Sequence, residues 1–141
     1  MDETTTDTAA RLRRSITRLN RKLRYSALGG VSPAQASLLA VIGNRENPSL
    51  GELAVAEQIQ PPSVTRLVRT MEQAGLITSE SDQSDRRCTR VRLTALGRRE
   101  LAAIRQRKTE FLEKKLLSLT PKDRLKARDL AVFLEALLED E

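Results

Sequence analysis

The chain has 141 residues, 39% apolar, 31% charged and only 2% aromatic, with a single Cys and no His or Trp. That length suits one domain, or one compact lobe with a long-helix appendage, and excludes a multi-domain enzyme; without His there is no imidazole acid, base, nucleophile partner or metal ligand, and the acids scatter over solvated helix faces with no paired set for carboxylate chemistry, so no enzyme, metal or cofactor is expected. The net charge of +6 makes a polyanion the first partner to consider.

The opening Met1 to Asp7 is acidic and lacks the basic and apolar regions of a signal peptide, and no apolar run approaches the roughly 20 residues that span a bilayer. Lone Cys88 can form no internal disulfide. The expectation is a soluble, cytoplasmic protein with no membrane contact. A first helix is predicted at about 8 to 28, where Leu12, Ile16, Leu19 and Leu23 form one apolar stripe that Gly29-Gly30 ends. Its other side is basic: Arg11 to Arg24 holds seven cations and no acid. A membrane-surface helix or a transit peptide shares that pattern. The favoured reading is a dimerising helix whose polar face attracts phosphate or lines an anion pocket.

Capping boxes at Ser32 to Gln35 and Ser49 to Glu52 open helices at about 33 to 45 and 49 to 57. A three-residue break leads to a helix at about 61 to 74, in which Val64, Leu67, Val68 and Met71 make one buried stripe. The opposite side carries Pro62, Arg66, Arg69 and Gln73, flanked by Ser63 and Thr65, side chains suited to base edges and phosphates in a major groove. Gln60, before Pro61, serves as an extended N-cap, leaving the positive helix end to meet a phosphate, although Pro61 and Pro62 bring no amide donors. Past Gly75, Leu76 to Glu80 and Cys88 to Leu93 are predicted strands, the second alternating a half-buried face with a cationic one, Arg90 and Arg92. The loop between them has a charged tip. Thr94 caps a helix at about 95 to 118, and Thr120-Pro121 opens the last at about 121 to 138. That helix carries Leu130, Phe133, Leu134 and Leu137, a stripe that one small lobe cannot cover together with the first, so a homodimer is expected.

Helix 49 to 57, helix 61 to 74 and the hairpin form a winged helix-turn-helix. The ordered set Leu53-Ala54, Pro62-Ser63-Val64-Thr65-Arg66-Leu67-Val68, Met71 to Ile77, Asp85-Arg86-Arg87 and Leu93-Thr94-Ala95-Leu96-Gly97 resembles the MarR family of bacterial regulators over nearly the whole chain. The resemblance implies a mainly α fold with a small β-hairpin wing. A DNA-binding lobe would span about 31 to 98, with its recognition helix at about 61 to 74 and its wing at about 76 to 93. Segments 1 to 30 and 99 to 141 would supply a helical dimerisation lobe. It further implies a transcriptional repressor, a pseudo-palindromic operator in double-stranded DNA, and release by a small phenolic or aromatic anion such as salicylate. By position, Ser63, Thr65, Arg66 and Arg69 would serve the major groove, and Asp85 with Arg87 the minor groove. Thr78, Ser79 and Glu80 stand where the family often has arginine, which shifts wing contact to the backbone onto Arg86, Arg90 and Arg92. Arg14, Arg18, Arg21 and Tyr25 would border the effector pocket.

Plainer readings stand beside these. Arg66 and Arg69 alone fit solvated surface as well as they fit DNA, and Asp85 with Arg87 can be a local ion pair that stiffens a hairpin. Cys88, although near arginines that favour a thiolate, reads as an incidental strand residue. The function alternatives are a DNA-binding regulator without any small-molecule effector and a winged-helix adaptor that binds protein. The basic recognition helix favours DNA.

Overall fold

The computed structural model describes residues 2–139. It contains six helices and one hairpin among those residues: α1 (Thr5–Ser26), α2 (Pro33–Gly43), α3 (Leu50–Glu57), α4 (Pro61–Gln73), β1 (Ile77–Ser81), β2 (Thr89–Leu93), α5 (Ala95–Leu117) and α6 (Pro121–Leu138). The mainly helical fold with a small antiparallel wing is as the sequence indicates. The first helix starts earlier than its apolar stripe. Thr4 accepts from the Asp7 amide at 3.1 Å while the Asp7 carboxylate accepts from the Thr4 amide at 3.2 Å, a reciprocal cap that recruits the acidic opening into α1. The caps at Ser32 and Ser49 form as expected, each hydroxyl accepting an amide three residues on.

Among the described residues, every buried apolar side chain lies between Ala27 and Ile104. Leu38, Leu39 and Ile42 of α2, Leu53 of α3, Val64, Val68 and Met71 of α4, Ile77 and Val91 of the hairpin, and Leu101 and Ile104 of α5 make one cluster. This is the interior of the winged lobe. Neither α1 nor α6 buries a single residue; α1 and α6 each lie against α5.

The strands pair from Ile77↔Leu93 to Ser81↔Thr89. The first strand begins one residue later than expected, because Leu76 is used to close α4. The Leu76 amide donates to the Met71 carbonyl at 3.0 Å and the Gly75 amide to the Glu72 carbonyl at 2.9 Å. With Gly75 at φ 77°, this is a Schellman closure, and buried Leu76 and Met71 supply the apolar contact that accompanies it. Hairpin and helical lobe are also joined edge to edge, since the Val91 amide donates to the Pro48 carbonyl at 2.9 Å.

Candidate nucleic-acid interface

The recognition helix presents the face that its sequence periodicity predicts. Val64, Val68 and Met71 are buried and Leu67 half-buried, while Pro62, Ser63, Thr65, Arg66, Arg69 and Gln73 are all exposed. Among the described residues neither Arg66 nor Arg69 forms an ion pair with a carboxylate. Both guanidiniums therefore keep their donors for an incoming anion or base edge. The Thr65 hydroxyl donates to the Pro61 carbonyl at 3.1 Å, so its free lone pairs make it an acceptor on this face.

One expectation about α4 is overturned. Its start is not an open anion site: Pro61 and Pro62 have no N-H, and the next two amides, of Ser63 and Val64, both donate to the Gln60 carbonyl at 2.9 and 3.2 Å. No orphan donor is left for a phosphate at this end. Contact there falls to side chains.

The wing tip is built around two carboxylates. Asp85 Oδ1 accepts from the Arg87 amide at 3.1 Å and from Arg87 Nε at 3.2 Å. The D-x-R pattern thus fixes the stem of Arg87 and leaves both terminal nitrogens outward, on a side chain that is 92% exposed. Arg86 beside it is exposed too. Asp82 Oδ1 accepts from the Ser84 amide at 3.0 Å and from its hydroxyl at 2.9 Å, and Oδ2 accepts from Arg90 Nε at 3.0 Å. The two Ser84 bonds and then the Arg90 guanidinium stabilise the ionised form, pulling the Asp82 carboxyl down to about 2.

The structure does not bring Arg90 to the outer face with Arg86 and Arg87. Its side chain is half-buried between the wing and α3, where it also reaches Glu52 Oε1 and the Asn47 carbonyl, each at 3.4 Å. Two carboxylates neutralise it, and it ties wing, α3 and the α2–α3 loop together. The alternation in β2 gave no warning, because Asp82 reaches Arg90 from the hairpin's own loop while Glu52 and Asn47 reach it from α3 and the loop before it. Arg92 does lie on the exposed face, paired across the hairpin with Glu80 at 3.5 Å.

The proposed effector residues also fall differently. Arg14, Arg18, Arg21 and Tyr25 share one side of α1 and all are exposed, but none lines the cleft that exists between α1, α2 and α5. That cleft, about 200 Å³, is bordered by Asn20, Arg24, Ala36, Ser37, Ile104 and Lys108. Sequence reasoning passed over Arg24 and Lys108, whose meeting depends on how α1 crosses α5. No helix among the described residues is long and apolar enough to cross a membrane.

Residues 31–89 match the model of the MarR family. Along nearly its whole length the chain is similar to an uncharacterized HTH-type transcriptional regulator of Mycobacterium bovis, with 29% identity over 94% of this chain and 93% of that one. A putative transcriptional regulator of Pseudomonas aeruginosa has 30% identity and a TM-score of 0.79, the match covering 98% of this chain and all 100% of the other. A mutant of MepR from S. aureus, solved bound to an oligodeoxyribonucleotide, shares the fold at 20% identity and a TM-score of 0.69, over 96% and 99% of the two chains.

Proposed function

Because the chain belongs to the MarR family of transcriptional regulators, we propose that it represses transcription as a homodimer on a pseudo-palindromic operator and is released by a small aromatic anion. It is a DNA-binding winged-helix protein and not an enzyme. The observation that carries the finer reading is the outer face of α4, where Arg66 and Arg69 stand exposed without carboxylate partners beside Ser63, Thr65, Pro62 and Gln73. In this reading that face enters the major groove and reads bases, while Arg87, aimed by Asp85, and Arg86 reach the adjacent minor groove. Residues 31 to 98 form the reading lobe, and the segments before and after it form the dimer. The DNA-bound relative of the same fold supports this placement. A dimer seated on a promoter excludes polymerase by occupancy alone, so repression is the proposed outcome.

For release, the cleft between α1, α2 and α5 offers two cations, Arg24 and Lys108, beside apolar Ala36 and Ile104. A salicylate-like anion satisfies both characters. Lowering operator affinity tenfold requires a coupling of about 1.4 kcal/mol, and the operator must weaken the anion by the same factor.

The experiment is a footprint on the DNA flanking the chain's own gene, followed by affinity measurements on the protected site. Arg66→Ala or Arg69→Ala is expected to weaken binding by about 1 to 3 kcal/mol and to relax base preference at one position of each half-site. Arg87→Ala should cost most where flanks are A/T-rich and the minor groove narrow. Equal losses on specific and random DNA would mean that these arginines touch only phosphate and would sink the base-reading assignment. Salicylate added to the wild-type complex should lower its affinity; no change at millimolar salicylate removes the effector part alone.

A further inference from the structure

The cations of α1 that stand outside the cleft form a row of their own. At about 100° per residue, Arg14, Arg18, Arg21 and Tyr25 fall within about 60° of one another, on the side of the helix about 160° away from the stripe of Leu12, Ile16, Leu19 and Leu23. All four are exposed, and exposed Arg11 and Lys22 flank them. Asp7 is the one acid of α1, and it is engaged in the Thr4 cap, about two turns before the row begins. Among the described residues no carboxylate pairs with Arg14, Arg18, Arg21 or Lys22, while Arg11 pairs with Glu3. We infer that this row binds the phosphate backbone of a second DNA duplex, without regard to its sequence, so that one particle holds two segments of DNA together.

Like charges spaced i, i+3 and i, i+4 destabilise a helix, and a polyanion laid along Arg14, Arg18 and Arg21 offsets that repulsion. Three guanidiniums within about 10 Å of helix axis face a duplex that carries one charge per about 1.7 Å. Phosphate oxygens accept from arginine and from a tyrosine hydroxyl alike. An anionic lipid surface fits less well. A helix lying in a membrane interface buries its apolar face there, whereas the stripe of α1 is on the far side from the row, with Leu12 and Leu23 half-buried and the helix packed on α5. The row and the reading helix stand on different supports, since α4 packs on α2, α3 and β1, and short duplexes are stiff; contact with the row therefore falls to a second segment. A chain already held on DNA meets neighbouring segments at high effective concentration. This role needs only that the winged lobe holds DNA, not that it reads an operator.

The test mixes two short duplexes of random sequence, one biotinylated and one fluorescent, with limiting intact protein and recovers them on streptavidin beads. Neither duplex carries an operator, so failure here and failure of the base-reading assignment are told apart. Wild-type protein is expected to bring the fluorescent duplex onto the beads. Arg14→Gln/Arg18→Gln/Arg21→Gln should cut that signal at least about tenfold, while the protein retained on the beads stays within about threefold of wild type. Arg14→Lys/Arg18→Lys/Arg21→Lys should keep the signal, because charge and not base recognition is at work. Circular dichroism checks that each variant folds, and Arg14→Gln/Arg21→Gln serves if the triple glutamine variant does not. No bridging by wild type, or equal bridging by the glutamine variant, would overturn the inference. So would a glutamine variant whose sedimentation differs from the parent's, since the row would then serve pairing between copies. Vesicles of phosphatidylserine and phosphatidylcholine are the competitor: if they carry down wild type but not the glutamine variant and strip the fluorescent duplex from the beads, the row belongs to a lipid surface and the inference fails.

Discussion

Asp82 and Arg90 show how a single charged pair can serve position instead of recognition. Arg90 offers its donors to Asp82, Glu52 and a backbone carbonyl, and in doing so loses its value as a free cation. Asp82 is held down to about 2, from an ordinary 3.8, first by the Ser84 amide and hydroxyl and only then by Arg90. A carboxyl whose folded value lies below its unfolded one stabilises the fold above the unfolded value and stops doing so as pH falls through the folded one. The wing tip should therefore keep its shape down to about pH 4 and loosen between about pH 4 and 2. An NMR titration of the Asp82 carboxyl carbon and the Ser84 amide should give a midpoint near 2. Arg90→Ala should raise that midpoint only in part, since the Ser84 bonds remain. A wild-type midpoint near 4 would mean that the carboxylate is not held in solution. Asp85 with Arg87 works at smaller energy, about 0 to 1 kcal/mol for so exposed a pair, and its effect is to aim the arginine.

At the scale of elements, the junction of α4, β1 and α5 explains the Leu93 to Gly97 motif physically. Thr94 caps α5 by accepting the Gly97 amide at 3.0 Å, donates its hydroxyl to the Gly75 carbonyl at 2.5 Å, and donates its own amide to the Leu76 carbonyl at 3.1 Å. Gly97 comes so close that an added Cβ would overlap the Leu76 carbonyl oxygen. The neighbour is backbone fixed by the α4 closure and cannot turn aside. Gly97→Ala should cost at least about 1 to 3 kcal/mol through overpacking, despite the better helix propensity of alanine. Urea denaturation at matched protein concentration checks this; an unchanged or raised midpoint would show that α5 can shift away freely. The motif was legible as a pattern, and so were the caps and apolar stripes, because each depends on residues within one or two turns of chain. Thr4 with Asp7 carried the same local signal and was passed over in favour of the stripe that begins later. What the sequence could not reveal is that Arg90 reaches Glu52 and Asn47, or that Arg24 and Lys108 border one cleft, since these residues lie on different elements and only packing brings them together.

The whole molecule is divided between a lobe with a filled interior and two helices with none. On α6, Leu130, Phe133 and Leu137 are each at least 50% exposed, and on α1 Ile16 and Leu19 are more than 40% exposed, with Leu12, Leu23 and Leu134 half-buried beside them. Fully burying one such side chain is worth roughly 1.5 to 3 kcal/mol, so a second copy covering both stripes gains far more than a monomer can by leaving them in water. Under the proposed operator reading, the dyad of such a pair sets two α4 helices to engage half-sites one helical turn, about 34 to 36 Å, apart. Sedimentation at micromolar concentration should give about twice the 15.8 kDa chain mass. Phe133→Glu with Leu137→Glu places charges in the seam while leaving every residue of the lobe interior in place, and should yield a folded monomer. Such a monomer has one α4 per particle, so it loses the gain that linked half-sites confer, about 100-fold or more in operator affinity, while its weak, salt-sensitive attachment to random DNA persists. A wild-type monomer that still holds its operator tightly, or a double variant that binds as well as the parent, would show that the exposed stripes serve something other than pairing of two reading lobes.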